Sequence, residues 1–103
     1  MFLFVLLAIY ASDEISLFNS QGEPVAYIAE DLTIYLWGGK PVAYLFNKSG
    51  KLQVYGFNGK HLGWFIKGAI FGHKGKAVGA VKKRFSSYTS HEPYKSYKKD
   101  KPS

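Results

Sequence analysis

Tyr55-Gly56-Phe57-Asn58-Gly59-Lys60-His61-Leu62-Gly63-Trp64 is the stretch on which the fold turns. Asn-Gly between two alternating apolar runs is the strongest short-range signal for a two-residue β-hairpin, because both turn positions then take positive φ. The same unit recurs. Ile34-Tyr35-Leu36-Trp37, Gly38-Gly39, Lys40-Pro41-Val42-Ala43-Tyr44-Leu45 is a second copy, and Ile70-Phe71-Gly72-His73, Lys74-Gly75, Lys76-Ala77-Val78-Gly79-Ala80-Val81 is another. Ile15-Ser16-Leu17-Phe18 and Glu23-Pro24-Val25-Ala26-Tyr27-Ile28 make the first, across a longer loop, Asn19-Ser20-Gln21-Gly22. The turn glycines fall at 22, 39, 59 and 75. Internal repetition of this kind governs the architecture before any single motif does.

Folding the third copy about Asn58-Gly59 pairs Phe57 with Lys60, Gly56 with His61, Tyr55 with Leu62 and Val54 with Gly63. Side chains alternate along a strand, so Tyr55, Phe57, Leu62 and Trp64 share one face while Val54, Gly56, His61, Gly63 and Phe65 share the other. The same register puts Tyr35, Trp37, Val42 and Tyr44 together in copy two, and Phe71, His73, Val78 and Ala80 in copy four. Each hairpin therefore has an aromatic face and a small or aliphatic face, and both must be covered, since a lone two-stranded hairpin is marginal in water. Ala26, Ala43, Gly63 and Gly79 form one column, where small residues let backbones approach. The expected architecture is all-β: four consecutive hairpins around a common centre, with small residues inward and aromatics between neighbours. An open stack of hairpins is the alternative. The linkers Ala29-Glu30-Asp31-Leu32, Asn47-Lys48-Ser49-Gly50 and Lys67-Gly68 are short enough for a continuous meander. No amphipathic helical period is present over residues 15–81.

These copies resemble the bacterial four-fold β-flower domain, named for four hairpins radiating like petals. The resemblance is carried by Ile34 to Tyr44 and by Phe57-Asn58-Gly59-Lys60-His61-Leu62-Gly63-Trp64-Phe65, and it covers residues 15–81. It implies a fold and brings no activity or catalytic residue with it. The longer first loop, and Ala80 where the other copies have Tyr27, Tyr44 and Trp64, imply that the terminal petals are closed differently.

The chain has 103 residues and no cysteine, so neither a disulfide nor a thiolate metal site is available. A core this small, closed by packing alone, rarely leaves more than roughly 3–5 kcal/mol of net stability. Homo-oligomerisation is a reasonable expectation on that ground. Residues 1–11, Met-Phe-Leu-Phe-Val-Leu-Leu-Ala-Ile-Tyr-Ala, form an uncharged apolar run too short to span a bilayer. They match the apolar region of a signal peptide with Ala11 as a cleavage point, which predicts export to the periplasm, the envelope or the medium. The competing reading is an N-terminal strand packed on the repeats, with the protein staying in the cytoplasm.

The net charge is +7. Residues 82–103 hold seven cations against two acids, so they carry +5, whereas the remaining seven lysines face five acids. Attraction to anions is therefore assigned to the tail, which is polar, basic, poor in aliphatics and expected to be disordered. Its anticipated partners are an anionic envelope polymer or a membrane surface; nucleic acid is disfavoured.

No chemistry of catalysis is legible. The acids lie in the leader junction, the first turn and a linker rather than in a cleft, and no serine has a base and an orienting acid beside it. His61 and His73 fall on opposite hairpin faces in this register, and His91 is in the tail, so no metal site is expected. No cofactor is implied, because the glycine-rich turns do not precede helices. The candidate binding residues are aromatic: Tyr35, Trp37, Tyr44, Tyr55, Phe57 and Trp64, whose rings between petals suit a sugar or a quaternary ammonium. The aromatic hairpin repeats of choline-binding modules are similar in layout. The sequence thus predicts a non-catalytic envelope interaction or structural module, with an aromatic-cage ligand-binding protein as the alternative.

Overall fold

The computed structural model describes residues 14–86 and 89–102; the leader at 1–11 lies outside them. Eight antiparallel strands follow one another in chain order and close into a barrel. They are β1 (Ile15–Phe18), β2 (Pro24–Ile28), β3 (Thr33–Leu36), β4 (Pro41–Lys48), β5 (Lys51–Tyr55), β6 (His61–Ile66), β7 (Ala69–Gly72) and β8 (Ala77–Ala80). The four hairpins are β1–β2, β3–β4, β5–β6 and β7–β8, called petals one to four here. They stand around a common centre, as the repeat implies, and closure rules out the open stack.

The interior repeats with the petals. Leu17 pairs Ala26, Ile34 pairs Ala43, Val54 pairs Gly63 and Ile70 pairs Gly79. Each petal thus contributes one aliphatic side chain and one small partner. Leu17, Ala26, Ile28, Ile34, Ala43, Leu45 and Val54 form the buried cluster, with Leu52, Phe65 and Ile70 packed against it. A small residue opposite each large one is what lets eight strands fill a narrow barrel with side chains alone. The aromatics of the other face lie outside and between petals: Tyr27 pairs Tyr35, Tyr44 pairs Tyr55 and Trp64 pairs Phe71.

The turns differ from the expected two-residue form. In all four petals the residue three places before the glycine accepts from that glycine's amide: Asn19 from Gly22, Leu36 from Gly39, Gly56 from Gly59 and Gly72 from Gly75. The same residue's own amide donates to the carbonyl just past the glycine, as Gly56 does to Lys60. Only the glycines take left-handed φ, between +76° and +98°. This is a three-residue loop with a bulge at its glycine. It also corrects the first petal, whose loop is no longer than the others: Ser20-Gln21 occupy the places of Trp37-Gly38, Phe57-Asn58 and His73-Lys74. Two-residue turns with positive φ at both positions do occur, at the linkers Ser49-Gly50 and Lys67-Gly68.

The bulge moves the register by one residue. Tyr55 pairs His61 rather than Leu62, and a second bulge, at Leu62, restores Val54 to Gly63. The same shift recurs at Phe18 with Pro24, Tyr35 with Pro41 and Phe71 with Ala77. One aliphatic residue per petal is therefore left opposite no partner: Val25, Val42, Leu62 and Val78.

Closure rests on Phe18 pairing Ala80. A short 3-10 turn at Lys82–Arg84 then brings the ring of Phe85 edge-on to Phe18, with centroids 5.9 Å apart. The seam thus differs from the other petal junctions, as Ala80 suggested. Beyond it the described residues 89–102 have no regular secondary structure, in keeping with their composition, yet they are not the free disordered tail expected. Residues 89–102 lie along the outside of the first two petals. Ser90 donates its amide to Gly22 O, Ser96 to Trp37 O and Lys99 to Gly39 O, at 2.8, 3.1 and 2.9 Å. A tail poor in aliphatics cannot form a core of its own, but it can satisfy backbone groups left open at the petal turns.

Candidate functional site

The bulges decide which side chains meet on the outer wall. The six aromatic candidates do not converge on one pocket; their ring contacts divide them into two sets.

The first set holds Tyr35 and Trp37 together with Tyr27. Tyr27 and Tyr35 are neighbours across β2 and β3 and stack with centroids 5.5 Å apart. Trp37, carried out on the turn of petal two, stands edge-on to Tyr27 at 5.9 Å. The tail crosses this corner. Pro93 O accepts from the Trp37 indole Nε1–H at 3.0 Å. Lys95 Nζ lies 4.8 Å from the centre of the Tyr27 ring and 5.2 Å from that of Trp37. Lys98 Nζ lies 5.6 Å from Tyr27 and 5.8 Å from Tyr35. Both ammonium groups also reach Glu14, Lys95 on Oε1 at 3.1 Å and Lys98 on Oε2 at 2.6 Å. Three rings and a carboxylate around a cation make an aromatic cage, and the attraction comes from the negative ring faces. Here the cage is filled by the chain's own lysines.

The electrostatics agree with that geometry. Burial pushes the Glu14 carboxyl up, but hydrogen bonds from Lys98 and Lys95 outweigh it and leave the group below its ordinary range. The Glu14 hydrogen bond raises Lys98. Tyr27, only 1% exposed, is raised by burial. Further along, Lys101 reaches Asp31 at 2.7 Å and holds that carboxyl low.

The second set is a ladder along petals two to four. Phe57 and Tyr44 are 5.6 Å apart, Tyr44 and Tyr55 5.8 Å, Tyr55 and His61 5.2 Å, and His61 and Trp64 5.0 Å. His61 belongs to this face only because of the bulge. It meets His73, contrary to the expected register, with His61 Nδ1 2.8 Å from His73 Nε2. Their rings are within 15° of parallel with centroids 5.0 Å apart. A nitrogen–nitrogen distance shorter than any stacking distance makes this an in-plane, edge-to-edge hydrogen bond. His61 Nε2 also lies 2.8 Å from Gln53 Oε1. With Gln53 Oε1 as acceptor, His61 Nε2–H donates to it and His73 Nε2–H donates to His61 Nδ1. One proton joins the two rings, so both cannot be imidazolium in this arrangement. Among the described residues no group of three His, Asp or Glu is placed to hold a metal ion.

Sequence reasoning placed Tyr27 in the same aromatic column as Tyr35 and Trp37, but missed Glu14, Lys95 and Lys98 entirely. A signal for those was present. Residues 1–31 contain five acids and no Lys or Arg, whereas the four lysines after residue 91 follow a stretch, 32–91, with ten cations and no acid. The tail's cations had only petal one to return to.

No curated protein and no solved structure matches the chain. The family model described as 4-fold beta flower protein matches residues 15–103, a span that takes in all four petals and the docked tail as well. The chain belongs to the 4-fold beta flower family.

Proposed function

We propose that this small β domain is a non-catalytic interaction module of the cell envelope, whose binding element is the cage formed by Tyr27, Tyr35, Trp37 and Glu14. The observation that carries this reading is the occupancy of the cage: two ammonium groups sit against its rings and share its one carboxylate. A site that accepts Lys95 and Lys98 in cis has the chemistry to accept a cationic group in trans, provided the tail gives way. Ordinary core packing does not require a carboxylate to close over three rings, and catalysis needs more than a cation clamp.

The test is competition. The full chain and the double variant Lys95→Ala/Lys98→Ala are titrated with choline while the Trp37 indole resonance is followed. Emptying the cage is expected to give saturable shifts at millimolar choline in the variant and little change in the full chain. Absence of shifts in both would leave the cage as an intramolecular clasp and sink the ligand-binding reading. The envelope assignment rests on the leader and has its own check: the intact mass of the protein from fractionated cells should lack residues 1–11, and a retained Met1 would defeat it.

A further inference from the structure

We infer that the tips of petals three and four form a docking surface for an anionic lipid layer, a site separate from the cage and independent of it. Lys95, Lys98 and Lys101 return to Glu14 and Asp31 on the acidic first third of the chain. Residues 32–91 hold nine lysines and one arginine with no acid among them. Five of these ten, Lys51, Lys60, Lys67, Lys74 and Lys76, lie in petals three and four and their linker, where no acid in the sequence compensates them, so attraction to anions is not confined to the tail.

On that half of the barrel the hairpin tips converge. Lys60, Lys74 and Lys76 rim a groove of about 410 Å³ between petals three and four. Two exposed aliphatic side chains line it beside His61 and His73: Leu62 is 43% exposed and Val78 65%. Both are residues that the bulges leave unpaired, Leu62 between the paired His61 and Gly63 and Val78 between the paired Ala77 and Gly79. The turn that repeats through the fold thus pushes an apolar side chain outward beside the lysines at each of these tips. Exposed aliphatics ringed by cations match the boundary of an anionic bilayer, where headgroup phosphates meet lysines and acyl chains meet Leu62 and Val78. Single-stranded nucleic acid would need open ring faces for stacking. The rings that line the groove, His61 and His73, are instead joined edge to edge by a hydrogen bond, and Trp64 and Tyr55 are packed against His61.

The experiment is sedimentation of the full chain with phosphatidylcholine vesicles, with and without one third phosphatidylglycerol, at low and high salt. Binding is expected to the anionic vesicles alone and to weaken with salt. Lys60→Ala/Lys74→Ala/Lys76→Ala should lower the partition coefficient roughly a hundredfold, from about fivefold per lysine near an anionic surface. Leu62→Asn/Val78→Asn keeps every charge and should still lose severalfold, because the apolar contact goes. All five positions are exposed, and circular dichroism is the check that the variants fold. Lys95→Ala/Lys98→Ala should bind vesicles like the parent, so failure of the cage reading and failure of this one are told apart. Equal binding to neutral vesicles, undiminished binding of the triple lysine variant, full binding of the asparagine variant, or displacement of the protein from vesicles by a short single-stranded oligonucleotide would each overturn the proposal.

Discussion

Gly63→Ala is expected to leave the domain unfolded at equilibrium. A Cβ at residue 63 would stand 1.9 Å from Phe71 O, 2.9 Å from Phe71 C and 3.2 Å from Gly72 Cα. Those atoms are backbone of the neighbouring strand, where Gly63 pairs Gly72, so no side-chain rotation relieves the clash and β6 must leave β7. Overpacking relieved by side-chain movement costs about 1–3 kcal/mol. A backbone collision inside a closed barrel exceeds that range, and a domain of this size has roughly 3–5 kcal/mol in total. Gly59→Ala is the control. Its Cβ meets nothing within 4 Å, but the residue holds φ +86°, so it should cost only the left-handed backbone penalty, about 1–2 kcal/mol. Thermal melts by circular dichroism compare the two. A Gly63→Ala melt as close to the parent as that of Gly59→Ala would show that the close approach of β6 and β7 is not needed for closure.

The contrast between these glycines also shows what could be read without coordinates. The column Ala26, Ala43, Gly63 and Gly79 marks the barrel interior correctly, because the need for small residues opposite large ones is stated in the side chains themselves. The register was one residue out for a physical reason. Asn-Gly suits a turn with two positive φ values, but the four copies share only the glycine; the residue before it is Gln21, Gly38, Asn58 or Lys74. Gln and Lys have no preference for left-handed backbone, so the turn common to all copies uses one such residue and a bulge. That bulge brings His61 to His73 and turns Leu62 and Val78 outward. Of the six aromatic candidates, Tyr35 and Trp37 lie against the tail's own lysines, while Tyr44, Tyr55, Phe57 and Trp64 line a separate ladder. The cage's other half was hidden because Glu14 and the tail lysines are some 80 residues apart in sequence, as far as 84 for Lys98, and a summed charge conceals which end of the chain holds which sign.

Acid should release the tail before it melts the barrel. Glu14 and Asp31 both sit below their ordinary range when folded. The stability they contribute is therefore complete above the unfolded carboxylate values, about 4.3 and 3.9, and is lost as pH falls through the lowered native values. Lys98 and Tyr27 are raised, so their contributions are complete below the ordinary Tyr and Lys range, about 10 to 10.4, and disappear above it. Between these limits the clasp should be insensitive to pH. Glu14→Gln removes the group both lysines share. At roughly 1 kcal/mol or less for each partly exposed pair, protection of the Ser96 and Lys99 amides at neutral pH should fall by up to about thirtyfold, while amides of Val54 and Ile34 in the barrel stay as they were. The acid-dependent shift of the Trp37 indole, which reports the bond to Pro93 O, should shrink in the same variant to what Asp31 supports. Unchanged protection and an unchanged acid shift in Glu14→Gln would mean that the tail is held by its backbone hydrogen bonds alone, and that the lysines lie on the rings without anchoring it.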